Sequence, residues 1–421
     1  MKKISRRQFT NAAALGLGAL AIPNIAVGAK PKVVVVGGGA GGATAARYVA
    51  KDSKGAVDVT LIEASKRYYT CFYSNLYLGG LRNYGSIGHN YYGLAVNNGV
   101  NVVHDWAASV DAQNKRVKLA SGSSVSYDRL ILSPGIDFKY DSVPGYSAEV
   151  QSKMPHAWKS GTQTQLLKRQ VLNMRKGGNF VIVPPTNPYR CPPGPYERVS
   201  MVAHLLKANN PKAKIIILDP KPKFSKQGLF MDGWERHYPG MIDWVDPGAH
   251  GGIKNVDGNK MEIKTDLDTF KADAASVIPA QKAGAIALAA GVNDGDWCPV
   301  NPNSMASKAD SNIYVLGDAS VAKSMPKSGF SANSQAKVAA NAVRGELTGS
   351  KVFPARYSNT CWSLIATDDG IKVGASYKAG EKKIDVVSKF ISKKGESAET
   401  RKTTYEESID WYNGMTADMF S

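Results

Sequence analysis

The sequence predicts an α/β protein, and three observations predict it. A β-branched run, Lys32 to Val36, enters a cluster of glycines and is followed by a helix and a second strand. The same outline returns between Gly178 and Asp219, with prolines where the glycines would stand. A late strand, Asn312 to Leu316, closes in Gly317-Asp318. Together these make two Rossmann-like dinucleotide-binding domains in a layered α/β arrangement, completed by a C-terminal α+β domain. With 421 residues, 43% hydrophobic and 21% charged, the chain has enough material for several cores and the composition of neither a disordered nor a fibrous protein.

Residues 1–29 read as an export signal. Lys2, Lys3, Arg6 and Arg7 precede an apolar run from Ala12 to Ile22, and small residues close it at Ala26-Val27-Gly28-Ala29. That run is too short to span a bilayer. The paired arginines of Ser5-Arg6-Arg7-Gln8-Phe9 follow the twin-arginine pattern, a route for proteins folded before export. The expected location is the periplasm, and no transmembrane anchor is expected in the mature chain. Without the four basic signal residues the net charge falls from +18 to about +14. Such an excess suits nucleic acid, anionic lipid or an acidic protein, and export argues against nucleic acid.

The first nucleotide unit spans strand, glycine turn, helix, strand and acid. Four consecutive valines, Val33 to Val36, suit a strand buried on both faces of a parallel sheet. Gly37 makes the tight turn, Gly39 lets the backbone approach a pyrophosphate, and Gly42 allows close helix packing over Ala43 to Ala50. A second strand, Val57 to Ile62, ends at Glu63, which lies 21 residues past Gly42 and is placed to accept hydrogen bonds from a ribose.

In the second unit, the strand Gly178 to Val183 runs into Pro184-Pro185-Thr186-Asn187-Pro188-Tyr189-Arg190-Cys191-Pro192-Pro193-Gly194-Pro195 before a helix near Arg198 to Ala208 and a strand Lys214 to Asp219. Prolines lack the backbone donors that a pyrophosphate needs, so this domain is read as a degenerate nucleotide fold that does not bind NAD(P)H. The expected boundaries are 30–145 and 275–350 for the first domain, 146–274 for the second and 351–421 for the C-terminal interface domain.

The four cysteines, Cys71, Cys191, Cys298 and Cys361, are too few for a disulfide framework. Cys191 sits in the proline loop, a held and accessible position, whereas Cys298 is read as structural. The chain has no Cys-x-x-Cys-His, so it carries no covalent haem of its own, and its six histidines, His89, His104, His156, His204, His237 and His250, lack metal-ligand spacing, so no metal is expected.

Several of these motifs resemble a known family. Asn312 to Ala319 and Tyr127 to Gly135 resemble the later FAD elements of the disulfide-reductase superfamily, in which the aspartate at Asp318 contacts the ribityl and pyrophosphate region. That superfamily's glutathione-reductase branch has two cysteines, four residues apart, where this chain has only Cys71. The combination of Thr70-Cys71, the proline-rich Cys191 loop, Gly317-Asp318 and Cys361-Trp362 resembles the flavoprotein subunit of flavocytochrome c sulfide dehydrogenase across nearly the whole mature chain.

The resemblance implies FAD held covalently through Cys71, and a redox-active Cys191–Cys361 disulfide that sulfide attacks. It further implies transfer of the electrons to FAD and then to a separate c-type cytochrome subunit. The residues themselves leave two alternatives open. One is a sulfide:quinone oxidoreductase-like enzyme, which needs an apolar membrane-binding surface; the mixed and charged stretch Ser388 to Glu396 argues against it. The other is a non-catalytic flavin-binding electron-transfer component with purely structural cysteines.

Overall fold

The computed structural model describes residues 29–421. The export-signal reading therefore lies, up to residue 28, outside the described residues. Pro31 to Ser421 form one compact unit.

The valine strand Lys32–Val36 lies at the centre of a five-stranded parallel sheet, in the order Ile313–Val315, Arg129–Leu132, Lys32–Val36, Asp58–Ile62, Asn101–Val103. Val33, Val34 and Val35 are fully buried. Each such side chain contributes about 1.5–3 kcal/mol relative to exposure, which anchors the turn that follows. Ala40–Ser53 is a helix whose first turns are small and buried (Ala40, Gly41, Gly42, Ala43, Ala45, Ala46). It packs against the equally small-faced helix Gly329–Thr348. A Cβ on Gly42 would stand 1.8 Å from the Gly37 carbonyl oxygen, so glycine is obligatory for this approach of helix to turn.

The second sheet is four-stranded and parallel: Ile242–Val245, Lys214–Leu218, Asn179–Val183, Ala274–Val277. The helix Gly194–Asn209 crosses between its first two strands in chain order. Here the expected boundary after residue 274 is corrected, because it cuts through a strand fully buried in the second sheet. The chain leaves the second sheet just beyond, where Ala280–Ala283 pairs antiparallel with Ile136–Lys139 in a separate two-stranded sheet.

The C-terminal part is an antiparallel meander, Arg356–Ala366, Asp369–Ala379 and Ile384–Ile391, and a helix, Ala398–Phe420. That helix buries Arg401, Thr404, Ser408, Tyr412, Met415 and Met419, a three-to-four-residue spacing that turns one face inward. Ile384–Ile391 is an edge strand, and Val386, Val387, Phe390 and Ile391 are 48–55% exposed on it. The segment expected to be mixed and charged thus also presents apolar surface, because an edge strand without a covering layer exposes both of its faces.

Candidate active site

Beside the glycine turn lies an open cleft of about 1570 Å³. Gly37, Gly39, Glu63, Cys71, Gly317 and Asp318 all line it, together with Ser133 to Ile136. Of the cofactor residues read from the sequence, Gly42 alone sits behind the wall, where it sets the helix against the turn. Gly37 has φ +96°, and a Cβ there would meet the Ser133 carbonyl oxygen at 2.4 Å, so no other residue makes this turn.

Glu63 organises the turn directly: Gly38 N donates to its Oε2 at 2.7 Å and Ser65 N to its Oε1 at 2.9 Å. A carboxylate has about four acceptor positions, so two remain for hydroxyls of a ligand. Asp318 is buried and faces the cleft, with Arg190 Nη1 3.6 Å from its Oδ2. Burial raises its carboxyl above the usual range, against the opposing charge of Arg190. Its Oδ1 is buried without a hydrogen-bond partner. Such an oxygen calls for a donor from outside the protein, and together with the side-chain-free glycine wall it fits the ribityl hydroxyls and pyrophosphate of FAD.

A second cavity, of about 800 Å³, adjoins this cleft and shares Cys71, Phe72, Arg190 and Gly329 with it. Cys191 and Cys361 both line it, so the fold brings three of the four cysteines to one place. Trp158, Phe330, Trp362 and Trp411 form much of its wall; Trp362 and Trp411 stack with centroids 5.3 Å apart. Cys298 lies elsewhere, fully buried in the core of the first domain beside Ser320, which agrees with a structural role.

Cys191 adopts φ +56°, an unusual conformation for a residue with a side chain, fixed by its N–H donating to the Lys327 carbonyl at 2.7 Å and its carbonyl accepting from Gly194 N at 2.8 Å. A Cβ on Gly194 would stand 2.8 Å from the Trp158 ring and 3.1 Å from Cys191 Sγ, so these two side chains occupy the space in front of the helix N-terminus. Cys361 is held in the strand Arg356–Ala366, and its Sγ accepts from Asn359 Nδ2 at 3.4 Å. All four cysteines are free thiols in this structure. Burial pushes both the Cys191 and the Cys361 thiol upward, and the neighbouring Cys361 and Glu197 push Cys191 further.

Several charged residues at the site went unread in the sequence. Glu197 lines the cysteine cavity from the first turn of the helix and is raised by burial, while accepting from Asn75 Nδ2 and Leu364 N. Arg190 donates to the Trp158 carbonyl and pairs with Asp318. Arg198 is fully buried, donating to the carbonyls of His156 at 2.8 Å and Ala157 at 2.6 Å, which holds the Trp158 loop. Lys327 donates to the Asp318 carbonyl at 2.7 Å, and burial lowers its ammonium to about 8. An arginine beside the loop cysteine and an acid in a helix first turn were visible signals, whereas nothing local marks Lys327 or Arg198.

Residues 31–183 match the pyridine nucleotide-disulphide oxidoreductase model. Residues 164–279 match the central part of the sulfide dehydrogenase (flavocytochrome c) flavoprotein chain, and 354–420 match the flavocytochrome c sulphide dehydrogenase flavin-binding region. The mitochondrial sulfide:quinone oxidoreductase of Mus musculus is 28% identical over 190 residues, 44% of this chain and 41% of the mouse protein, so the match spans about two fifths of that relative. Among solved structures, the sulfide:quinone oxidoreductase of Aquifex aeolicus superposes with TM-score 0.67 at 17% identity, over 90% of this chain and 91% of that one. The NAD-dependent persulfide reductase of A. fulgidus gives 0.63 at 16% identity, over 90% and 77%. At these identities the two structures establish the shared fold.

The fold and its glycine-walled cleft define an FAD-binding oxidoreductase of the pyridine nucleotide-disulphide superfamily. Two further matches, in the second nucleotide domain and in the C-terminal region, are specific to one branch of it. The chain belongs to the flavocytochrome c sulfide dehydrogenase flavoprotein family.

Proposed function

We propose that the protein is a periplasmic sulfide dehydrogenase that passes electrons from sulfide through FAD to a c-type cytochrome. The observation that carries this reading is the meeting of Cys71, Cys191 and Cys361 in one cavity that opens into the cofactor cleft. When joined, Cys191 and Cys361 offer hydrosulfide an electrophilic sulfur, and attack on it yields a persulfide on one cysteine and a thiolate on the other. FAD supplies a two-electron acceptor that can release electrons singly. The glycine wall and Glu63 would hold its phosphate and ribose end, and Asp318 would receive its ribityl hydroxyls. Cys71 lines both cleft and cavity, and a covalent bond from it to the flavin would retain the cofactor outside the cytoplasm. The aromatic wall limits water around the reacting sulfurs. Export through a twin-arginine signal suits a chain that must acquire its cofactor before leaving the cytoplasm.

The test is acid denaturation of the purified holoprotein followed by peptide mapping. FAD mass on the peptide containing Cys71, together with bleaching of the flavin band by sulfide, is the expected result. Flavin released freely would remove Cys71 from the role, and a flavin that sulfide leaves oxidised would reduce the protein to a passive carrier.

A second acceptor has one observation in its favour. The edge strand exposing Val386, Val387, Phe390 and Ile391 beside Lys389, Lys393 and Lys394 would suit contact with an anionic membrane, where a quinone could be reached. Side-by-side turnover with a c-type cytochrome and with a soluble quinone separates the two, and the cytochrome is expected to be the faster acceptor.

A further inference from the structure

When a disulfide is opened, the sulfur that leaves is the one whose thiolate the surroundings stabilise better. The two cysteines are not equivalent in this respect. Cys361 Sγ receives the Asn359 amide at 3.4 Å. That amide is oriented by Ser328, whose Oγ donates to Asn359 Oδ1 at 2.5 Å while accepting from Ser331 N at 3.1 Å as the cap of the helix Gly329–Thr348.

Behind Cys361 lies Lys226, 7% exposed. Its Nζ donates to the Cys361 carbonyl at 2.9 Å and to Ser363 Oγ at 2.8 Å, both neutral acceptors. A buried ammonium among neutral acceptors is poorly compensated, and an anion forming beside it offsets that deficit. Of the groups near Lys226 that can become anionic, Cys361 acts on it most strongly, ahead of Glu197 and Cys191. Around Cys191 the influences divide: Cys361, Glu197 and Cys71 oppose its ionisation, Arg190 and Arg198 favour it, and Lys226 bears on it only weakly, whereas Cys361 Sγ has a side-chain donor in hydrogen-bond contact.

We propose that Lys226 and the Asn359–Ser328 pair are positioning residues that stabilise Cys361 as the leaving thiolate, so that Cys191 receives the sulfide. This rests on the sulfide reading above and goes beyond it by assigning the two sulfurs. Hydrosulfide forms a bond to Cys191 Sγ and the Cys191–Cys361 bond breaks. The electron pair of that bond goes to Cys361 Sγ, and the hydrosulfide proton stays on the terminal sulfur of the new Cys191 persulfide. The groups that bear on Cys361 are Lys226, Glu197 from the helix Gly194–Asn209, Cys191 from its loop and Tyr377 from the neighbouring strand, with Arg401 from the C-terminal helix facing Lys226.

The experiment uses the full-length holoprotein reduced to the dithiol, alkylated with iodoacetamide across a pH series and read by peptide mass spectrometry. Cys361 is expected to label at lower pH than Cys191. Lys226→Met should move the Cys361 midpoint upward by about one pH unit, roughly tenfold less thiolate at a given pH, and Lys226→Arg should restore it. Trapping after one equivalent of sulfide should find the persulfide on Cys191. Equal labelling of the two cysteines, an unmoved midpoint in a folded Lys226→Met protein, or a persulfide on Cys361 overturns the assignment. Should Lys226→Met fail to fold, the labelling order in the wild type and the upward shift expected in Asn359→Leu decide it. A protein that forms no persulfide and keeps its flavin oxidised would sink the sulfide reading instead, and the labelling order would still settle which thiol ionises first.

Discussion

Asn75 Nδ2 donates to Glu197 Oε2 at 2.8 Å and to the Gly194 carbonyl at 3.2 Å, so one amide ties the segment that carries Cys71 to the helix that follows Cys191. Both residues line the cysteine cavity, and Asn75 is buried. This cross-link holds the flavin-side thiol and the loop thiol in a common frame.

Replacing Asn75 with alanine leaves the Glu197 carboxylate short of one of its two donors in a buried setting. An unsatisfied buried polar group costs about 1–3 kcal/mol. Thermal denaturation of Asn75→Ala should therefore show a lower Tm, and an unchanged Tm would mean that Glu197 finds another donor.

Glu197 also makes stability depend on pH. Its folded carboxyl is raised above the unfolded value by burial, so the folded state holds the proton more tightly. The stability gained from that proton is present below the unfolded carboxylate value and is lost as pH rises through the raised folded one. Denaturant titrations of wild type and Glu197→Gln across this window should show the difference between them moving against the wild type as pH increases. Parallel curves would exclude Glu197 as the titrating group.

Asp318 offers its unpartnered Oδ1 to the cofactor cleft, and hydrogen bonds to charged acceptors contribute about 1.5–3 kcal/mol. In a Cys71→Ser background, where no covalent link could mask the effect, Asp318→Ala should weaken FAD binding by on the order of tenfold to a hundredfold. Flavin titration by fluorescence measures this directly, and retention of full affinity would take Asp318 out of the cofactor site.

Two glycines should respond in opposite directions to the same substitution. Gly42→Ala forces a Cβ to within 1.8 Å of the Gly37 carbonyl, so the turn must move; the expected results are low flavin content and a loss of about 1–3 kcal/mol. Gly414 lies exposed inside the C-terminal helix with nothing within 4 Å, so Gly414→Ala should stabilise by about 1 kcal/mol. A lower Tm in Gly414→Ala would contradict the account of the open helix position, and an unchanged or higher Tm in Gly42→Ala that of the turn.

Much of the fold was legible because its signals are local. Val33 to Val36 declare a doubly buried strand by composition alone, and Gly37, Gly39 and Glu63 declare the cleft by spacing along one strand-helix-strand unit. Edge exposure was not legible: the lysines near Phe390 suggested a polar surface, and only the lack of a covering layer over Ile384–Ile391 left Val386, Val387, Phe390 and Ile391 open. The domain boundary near residue 274 was misplaced by a few residues because Ala274–Val277 and Ala280–Ala283 are consecutive short strands that join different sheets.

By itself, then, the sequence determined the α/β class, the glycine turn with its acid and the proline loop in place of a second one, since each depends on residues close along the chain. The tertiary structure alone decided that Cys71, Cys191 and Cys361 line one cavity, and that Asn75, Glu197, Lys226 and Asn359 surround them. These groups come from loops and helices beside the two parallel sheets and from the C-terminal meander, and their meeting is set by how those layers pack, which local periodicity does not encode.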